Sequence, residues 1–258
     1  MDVKKGEQNS TMLFLLATKM FVSHKHKFIF FHSEKCAGTF IEKSLCKALG
    51  VEEWKTAWAS KEWRNGIGKN LDGQFTKHIP PWKLKKAWGS EFDEYDTWTS
   101  IRDPWSQISS LYGMLTQWEK YSSMQGFHAN KFNRIHPVND FKDINEWIHF
   151  SAQNKGPEKS VNIFRRFCNY HSDFSQNLIQ NYIFYDDFQV GLNKLSKRLG
   201  INDIQADTLK RAESDNGETI HCTSESDERK VLTAWSSKII SGLCSRDIEK
   251  YNFVNPFN

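Results

Sequence analysis

The feature that most constrains this chain is a short apolar run followed at once by a loop of small and charged residues. Residues 28–32 predict a buried strand, because the run is too short for a helix. The loop occupies residues 33–38, and the apolar residues of segment 41–49 recur at helical spacing. A strand that turns through such a loop into a helix is typical of anion binding, because the helix start offers backbone N–H groups and a partial positive charge.

The residue types in this loop suit a phosphate or a phosphosulfate. Lys35 supplies a positive charge, Thr39 a hydroxyl group, and the small Ala37 and Gly38 let the backbone approach a ligand closely. The pattern is not a Walker A motif, since Lys35 precedes Gly38 by three positions instead of following a glycine directly. The alternative is an ordinary strand–helix turn with an exposed lysine. The predicted cradle consists of Lys35, Cys36, Ala37, Gly38, Thr39 and Phe40.

Two further strands, each followed by a helix, are predicted along the chain. Residues 98–101 form the second strand, with Asp103 at the N-cap position and Pro104 as the first helical residue. Residues 181–185 form the third, and the helix after it ends at Gly200. We therefore predict an α/β fold with a central parallel sheet flanked by helices, which would bind ligands at the carboxyl ends of its strands.

The bulk properties narrow the class of protein. A chain of 258 residues suits one large domain, which we assign to residues 27–258 after an N-terminal extension of residues 1–26. A net charge of +4 suits an anionic ligand but does not indicate nucleic acid. Five scattered cysteines predict reduced thiols in the cytoplasm and no zinc site. The apolar stretch 11–22 is too short for a membrane span, so we expect a soluble protein.

A second cluster of anion-binding residue types surrounds the start of the second predicted helix. Arg102 ends a strand there, and its planar guanidinium group can bind a phosphate with two hydrogen bonds. Ser110 lies two helical turns further on, where its hydroxyl could reach the same anion. The alternative is that Arg102 pairs with Asp103 or another carboxylate and that the serines are solvated.

Together, the two clusters resemble the sulfotransferases that use 3′-phosphoadenosine-5′-phosphosulfate (PAPS). In that family a strand–loop–helix with Lys, Gly and Thr binds the 5′-phosphosulfate, and the match here is Lys35, Gly38 and Thr39. In the same family, an Arg at the end of a later strand and a Ser eight residues further on bind the 3′-phosphate. Arg102 and Ser110 have this spacing. The loop looks closest to the carbohydrate branch, although Ser33-Glu34 stands where that branch usually has a proline.

The resemblance also implies roles for residues outside the two clusters. His78, in the segment Lys77-His78-Ile79-Pro80, matches the family's catalytic base. Glu34 is a rival base, and His32 a third candidate that more simply packs at the strand end. Tyr185 matches the residue that approaches the adenine. Lys210 and Arg211 fall where family members bring cations to the 3′-phosphate, and residues 245–251 resemble the C-terminal Arg-Asp…Tyr signature of the carbohydrate branch.

These observations predict a PAPS-dependent sulfotransferase that releases 3′-phosphoadenosine 5′-phosphate (PAP). The expected acceptor is a hydroxyl or amine of a small molecule or sugar, and no metal, membrane or nucleic acid is expected to take part. Two alternatives stay open at this point. One is a metal-dependent nucleotide phosphoryl transferase, and the other is a non-catalytic module that binds an adenine nucleotide on the same fold.

Overall fold

The structure is a computed structural model that describes residues 21–50, 78–122, 138, 140–204 and 231–257, with the backbone alone for residues 117–122. Its described residues form a mixed four-stranded sheet with helices, an α/β arrangement. The strands are β1 (Phe21–Ser23), β2 (Phe28–Phe31), β3 (Asp96–Ile101) and β4 (Asn181–Phe184).

The order of strands in the sheet follows the order in the chain. β2 and β3 are parallel, with Phe31 opposite Thr99, and β3 and β4 are parallel, with Ile101 opposite Phe184. The three strands predicted from the sequence are therefore present and parallel. β1 adds an antiparallel neighbour to β2, so the sheet is mixed and not purely parallel. The four-residue turn between β1 and β2 forces this direction, because a parallel pair needs a long crossover.

In the described part of the chain, helices follow β2, β3 and β4. They are numbered along the chain as α1 (Gly38–Ala48), α2 (Pro81–Trp88), α3 (Pro104–Ser122), α4 (Ile144–Ala152), α5 (Glu158–Phe167), α6 (Tyr170–Ser175), α7 (Phe188–Leu199), α8 (Ala234–Leu243) and α9 (Ser245–Tyr251). A 3₁₀ helix, Gly89–Glu94, follows α2 directly.

Two predicted helix boundaries are confirmed by their capping. The Oδ1 atom of Asp103 accepts a hydrogen bond from the backbone N–H of Ser106 at 2.8 Å, and Pro104 is the first residue of α3. Gly200 ends α7 in the left-handed conformation, with φ 63°. Both signals act within a few residues, so the sequence alone was sufficient to place them.

The sheet is buried on both of its faces. All four residues of β2 have 0% exposed surface, and alternate side chains belong to two separate apolar clusters. Phe28 and Phe30 pack with residues of α1 and α7, whereas Ile29 and Phe31 pack with residues of α3, α4 and α8. This burial on both faces explains the continuous apolar run in the sequence.

Candidate functional site

The loops that follow β2, β3 and β4 meet at one edge of the sheet. Because these three strands are parallel neighbours, their carboxyl ends point the same way. The loops comprise residues 32–37, 102–103 and 185–187. This edge is where parallel α/β proteins bind ligands.

The loop after β2 has an unusual backbone. Lys35 and Ala37 both adopt the left-handed conformation, with φ 64° and 61°, which is uncommon for residues other than glycine. The N–H groups of Phe40 and Ile41 both donate to the carbonyl oxygen of Ala37, at 3.0 and 3.2 Å, and so begin α1. Left-handed residues just before a helix form concave groups of N–H donors that suit anions. The strain is worth about 1–3 kcal/mol per residue, and such strain clusters at functional sites.

Buried side chains from α3 and α6 hold the middle of this loop. The Nε2 atom of Gln107 donates to the carbonyl oxygen of Glu34 at 2.8 Å, and the N–H of Glu34 donates to the Tyr170 hydroxyl at 3.0 Å. The Cys36 thiol donates to the same carbonyl oxygen at 3.3 Å. Burial raises the pKa of Cys36 to about 12, so the thiol is neutral and supports the loop without acting as a nucleophile.

The carboxylate of Glu34, the rival base of the sequence prediction, is engaged in an ion pair. Its Oε2 atom lies 2.8 Å from Nη2 of Arg166, which belongs to α5. The Glu34 side chain is mostly buried, with 19% of its surface exposed, whereas the Arg166 side chain is 54% exposed. The pair gives Glu34 a role in holding the loop to α5, which is an alternative to a role in proton transfer.

Gly38 is explained by the ring of His32. A Cβ atom at position 38 would lie 2.7 Å from three atoms of that ring, closer than real side chains approach. His32 is 5% exposed, and its Nδ1 atom lies 3.0 Å from Oε2 of Glu42 on α1. His32 therefore packs at the strand end, as one of the sequence alternatives proposed.

His78 lies directly beside this ring. The rings of His32 and His78 are perpendicular, with centroids 4.7 Å apart. The Nδ1 atom of His78 lies 3.1 Å from the carbonyl oxygen of His32, to which only a protonated nitrogen can donate. The hydrogen bond thus fixes the tautomer, leaving Nε2 of the exposed His78 ring as the basic nitrogen. This contact brings His78 next to the loop that carries Lys35, although the two residues are 43 positions apart in the chain.

Arg102 joins all three loops. Its Nε atom donates to the Ser106 hydroxyl at 2.8 Å, and Nη1 lies 3.5 Å from the carbonyl oxygen of Lys35. Its Cζ atom lies 4.1 Å from the centre of the Tyr185 ring, which is cation–π geometry. Ser106 also donates to the carboxylate of Asp103, so the guanidinium group is tied to the first turn of α3. The structure thus brings three of the predicted residues together.

Aromatic rings continue from Tyr185 towards α1. The rings of Tyr185 and Phe188 have centroids 5.9 Å apart, and those of Phe188 and Phe40 are 6.0 Å apart. Tyr185 and Phe40 are both partly exposed. This row joins the end of β4 to the first turn of α1, beside Arg102, and flat aromatic surface of this kind suits a base.

Negative charge also lies near Arg102. Burial raises the pKa of the Asp186 carboxyl, Asp103 raises it further, and Arg102 opposes both effects. Asp103 is itself held by the N-terminus of α3. A phosphate at Arg102 would therefore meet carboxylates as well as a guanidinium group.

Four further residues are predicted to bind the nucleotide. Ser110 is partly exposed on α3, one turn beyond Ser106, and therefore on the same side of the helix as Arg102. Thr39 is partly exposed in the first turn of α1. Lys210 and Arg211 lie outside the described residues.

Sequence reasoning missed the buried residues that support the loops. Gln107, Tyr170 and His171 come from α3 and α6, and no local pattern distinguishes them from ordinary helix residues. Asp247 does fall in the C-terminal signature, and its carboxylate accepts hydrogen bonds from the N–H groups of His171 and Ser172, at 2.9 and 2.7 Å. That signature was the one signal that could have indicated this support.

The described residues contain no group of three or more His, Cys, Asp or Glu side chains placed to hold a metal ion. Each helix in this part of the chain is too short or too polar to cross a membrane. No family model matches the chain, and neither does any curated protein or solved structure.

Proposed function

We propose that the protein is a sulfotransferase that moves a sulfuryl group from PAPS to a hydroxyl or amine of a small molecule or sugar. The observation that carries the proposal is the position of Arg102. Its guanidinium group contacts Ser106, the carbonyl of Lys35 and the ring of Tyr185, so it links the predicted 5′-anion loop to an aromatic surface. These contacts support a site for a nucleotide with phosphates at both ends of its ribose.

The residues at the strand ends suit this donor. Lys35 and the N-terminal turn of α1 supply a cation and helix-start N–H groups for a 5′-phosphosulfate. Arg102, with Ser110 on the adjacent helix, suits a 3′-phosphate. The row Tyr185, Phe188 and Phe40 offers surface for an adenine ring. When bound, the nucleotide supplies an activated sulfuryl group whose departure leaves a phosphate.

His78 would remove the proton of the acceptor. Its Nδ1–H is engaged with the carbonyl of His32, so Nε2 is the nitrogen that would accept the proton. Lys35 and the backbone of its loop would stabilise the negative charge that develops on the leaving phosphate. Glu34 stays a possible base, but its ion pair with Arg166 makes His78 the better candidate.

Two substitutions test the proposal, each with a matched control. Arg102→Ala should weaken binding of PAP by about a hundredfold, since a charge-assisted hydrogen bond contributes about 1.5–3 kcal/mol. It should weaken binding of adenosine 5′-phosphosulfate by only a few-fold. Calorimetry measures both affinities. The control is Arg198→Ala, because Arg198 pairs with Asp96 at the opposite end of β3.

His78→Ala should lower the transfer of ³⁵S from labelled PAPS to a pool of acceptors by about 10²–10⁴-fold while PAP still binds. His149→Ala is the control, since His149 lies on α4 and contacts Gln153. An equal loss of affinity for PAP and for adenosine 5′-phosphosulfate in Arg102→Ala would argue against a 3′-phosphate site. PAP binding without any transfer by the wild type would instead indicate a binding module. Transfer of a phosphoryl group from a nucleotide, lost on addition of EDTA, would indicate the metal-dependent phosphoryl transferase.

A further inference from the structure

The side chain of His171 lies buried beneath two of the loops described above. It stands near the start of α6 and is 1% exposed. Its Nδ1 atom lies 3.4 Å from the hydroxyl of Ser33 in the loop after β2. Its Nε2 atom lies 3.0 Å from the carbonyl oxygen of Arg102, at the end of β3. One ring therefore spans the two loops that carry the predicted 5′ and 3′ anion sites.

The distances assign the tautomer of this ring. Burial lowers the pKa of His171, so the ring is neutral at neutral pH and carries one proton. The Nε2 atom also lies 3.3 Å from the N–H of Arg102, but it cannot both accept from that group and donate to the carbonyl. The carbonyl contact is the shorter one, so Nε2–H donates to the Arg102 oxygen. Nδ1 then accepts from the hydroxyl of Ser33.

The backbone of His171 is fixed from the opposite side. The carboxylate of Asp247, itself 1% exposed, accepts from the N–H groups of His171 and Ser172. The N–H of Asp247 donates in turn to Oδ1 of Asn169 at 3.2 Å. α6 is thereby tied to α9, and the ring of His171 projects from a rigid base.

We infer that His171 is a positioning residue that holds the loops after β2 and β3 at a fixed separation, so that Lys35 and Arg102 can engage one ligand together. Its relevance to nucleotide binding rests on the proposed function, whereas its effect on the loops does not. In the described structure the ring contacts Ser33, the Cys36 thiol, the backbone of Arg102 and the rings of Tyr170 and Tyr251, whereas the two cations would bind the ligand.

Three substitutions separate positioning from simple packing. His171→Leu fills the position with an apolar side chain and removes the hydrogen bonds to Ser33 and to the carbonyl oxygen of Arg102. His171→Gln keeps a donor at the position of Nε2, because its terminal amide reaches about as far as the distal ring nitrogen. Ser33→Ala removes only the hydrogen bond between Ser33 and Nδ1, and it leaves the Cys36 thiol, 4.0 Å from Nε2, in place. Each variant is compared with wild type in amide hydrogen exchange and in PAP affinity.

His171→Leu should raise exchange about tenfold or more in both residues 33–37 and 100–104, while α7 exchanges as in wild type. His171→Gln should restore protection in residues 100–104, and Ser33→Ala should loosen residues 33–37 alone. PAP affinity should fall about tenfold in His171→Leu and recover to within about threefold in His171→Gln. α7 is the internal control, because it packs on the other face of the sheet.

The two proposals fail in different ways. A wild-type protein that does not bind PAP contradicts the proposed function, and the exchange data then decide the role of His171 alone. If exchange rises equally in α7 and in the loops, His171 is a packing residue and the inference is overturned. Unchanged exchange in both loops would also overturn it. If His171→Leu does not fold, His171→Gln and Ser33→Ala decide. Loss of protection in residues 100–104 in His171→Gln would then overturn the inference.

Discussion

The carboxyl of Asp186 lies close enough to Arg102 and Asp103 for their charges to shift its pKa. Its pKa is raised by burial first and by Asp103 second. A carboxyl whose pKa is higher in the folded than in the unfolded protein imposes a penalty on the free energy of folding whenever it is charged. The penalty is absent below the unfolded pKa of about 3.9 and is complete once the pH exceeds the folded pKa. At neutral pH, the charged Asp186 carboxylate therefore lowers the stability of the fold, and it would repel a phosphate bound at Arg102.

We predict that Asp186→Asn raises PAP affinity about two- to fivefold at neutral pH, the range expected for a partly screened charge. The same variant should raise the melting temperature at neutral pH but not in acid, because Asp186 is uncharged there. Calorimetry and thermal unfolding measure the two effects. Asp203→Asn, which removes an exposed carboxylate beyond the end of α7, is the control. Equal gains in both variants would mean that net charge alone is responsible.

At the scale of elements, the contact between β2 and α1 depends on Gly38. The ring of His32, at the end of β2, occupies the space where a side chain on the first residue of α1 would lie. The same ring contacts Glu42 on α1 and His78 before α2. A substitution at this contact therefore affects both the loop that carries Lys35 and the predicted base, His78.

We predict that Gly38→Ala destabilises the protein by about 1–3 kcal/mol, the usual penalty of overpacking, and lowers PAP affinity. Gly242→Ala is the control. A Cβ there meets nothing within 4 Å, so this helical position should gain about 0.5–1 kcal/mol. Denaturant unfolding of the double variant His32→Ala/Gly38→Ala tests the cause. Gly38→Ala should be less destabilising without the ring, and an unchanged penalty would place the clash elsewhere.

The elements were predictable to the extent that their signals are local. The three parallel strands, the start of α3 and the end of α7 each follow from a few neighbouring residues. The start of α4 also carries a local signal, since Asp143 caps the N–H groups of Asn145 and Glu146. The candidate site could be predicted only as separate pieces. Arg102 and His171 are 69 positions apart in the chain, and no periodicity links them.

At the scale of the whole molecule, α9 supports the loops at the edge of the sheet through α6. Asp247 of α9 holds the backbone of α6, and α6 holds the loops after β2 and β3 through Tyr170 and His171. A residue of α9 thus supports the loops after β2 and β3, which lie in the first half of the chain. Within residues 245–251, the buried Asp247 therefore joins two helices.

Substituting this buried aspartate should affect stability and the site together. Asp247→Asn replaces one acceptor oxygen by an amide that cannot accept from the N–H of His171 or Ser172. The lost charge-assisted hydrogen bond is worth about 1.5–3 kcal/mol. For a chain of this size, that corresponds to a fall in melting temperature of roughly 3–12 °C. PAP affinity should fall as well, because His171 then loses its fixed base.

Asp173→Asn is the matched control for this substitution. Asp173 lies on α6 and pairs with Arg246 of α9, so it joins the same two helices, but both side chains of that pair are 60% exposed. An exposed pair contributes about 0–1 kcal/mol, so the melting temperature of Asp173→Asn should fall by no more than about 4 °C. If both variants lose the same stability, burial of Asp247 is not what ties α9 to the site. A large fall confined to Asp247→Asn would mean that the C-terminal helix is part of the apparatus that keeps the two loops in place.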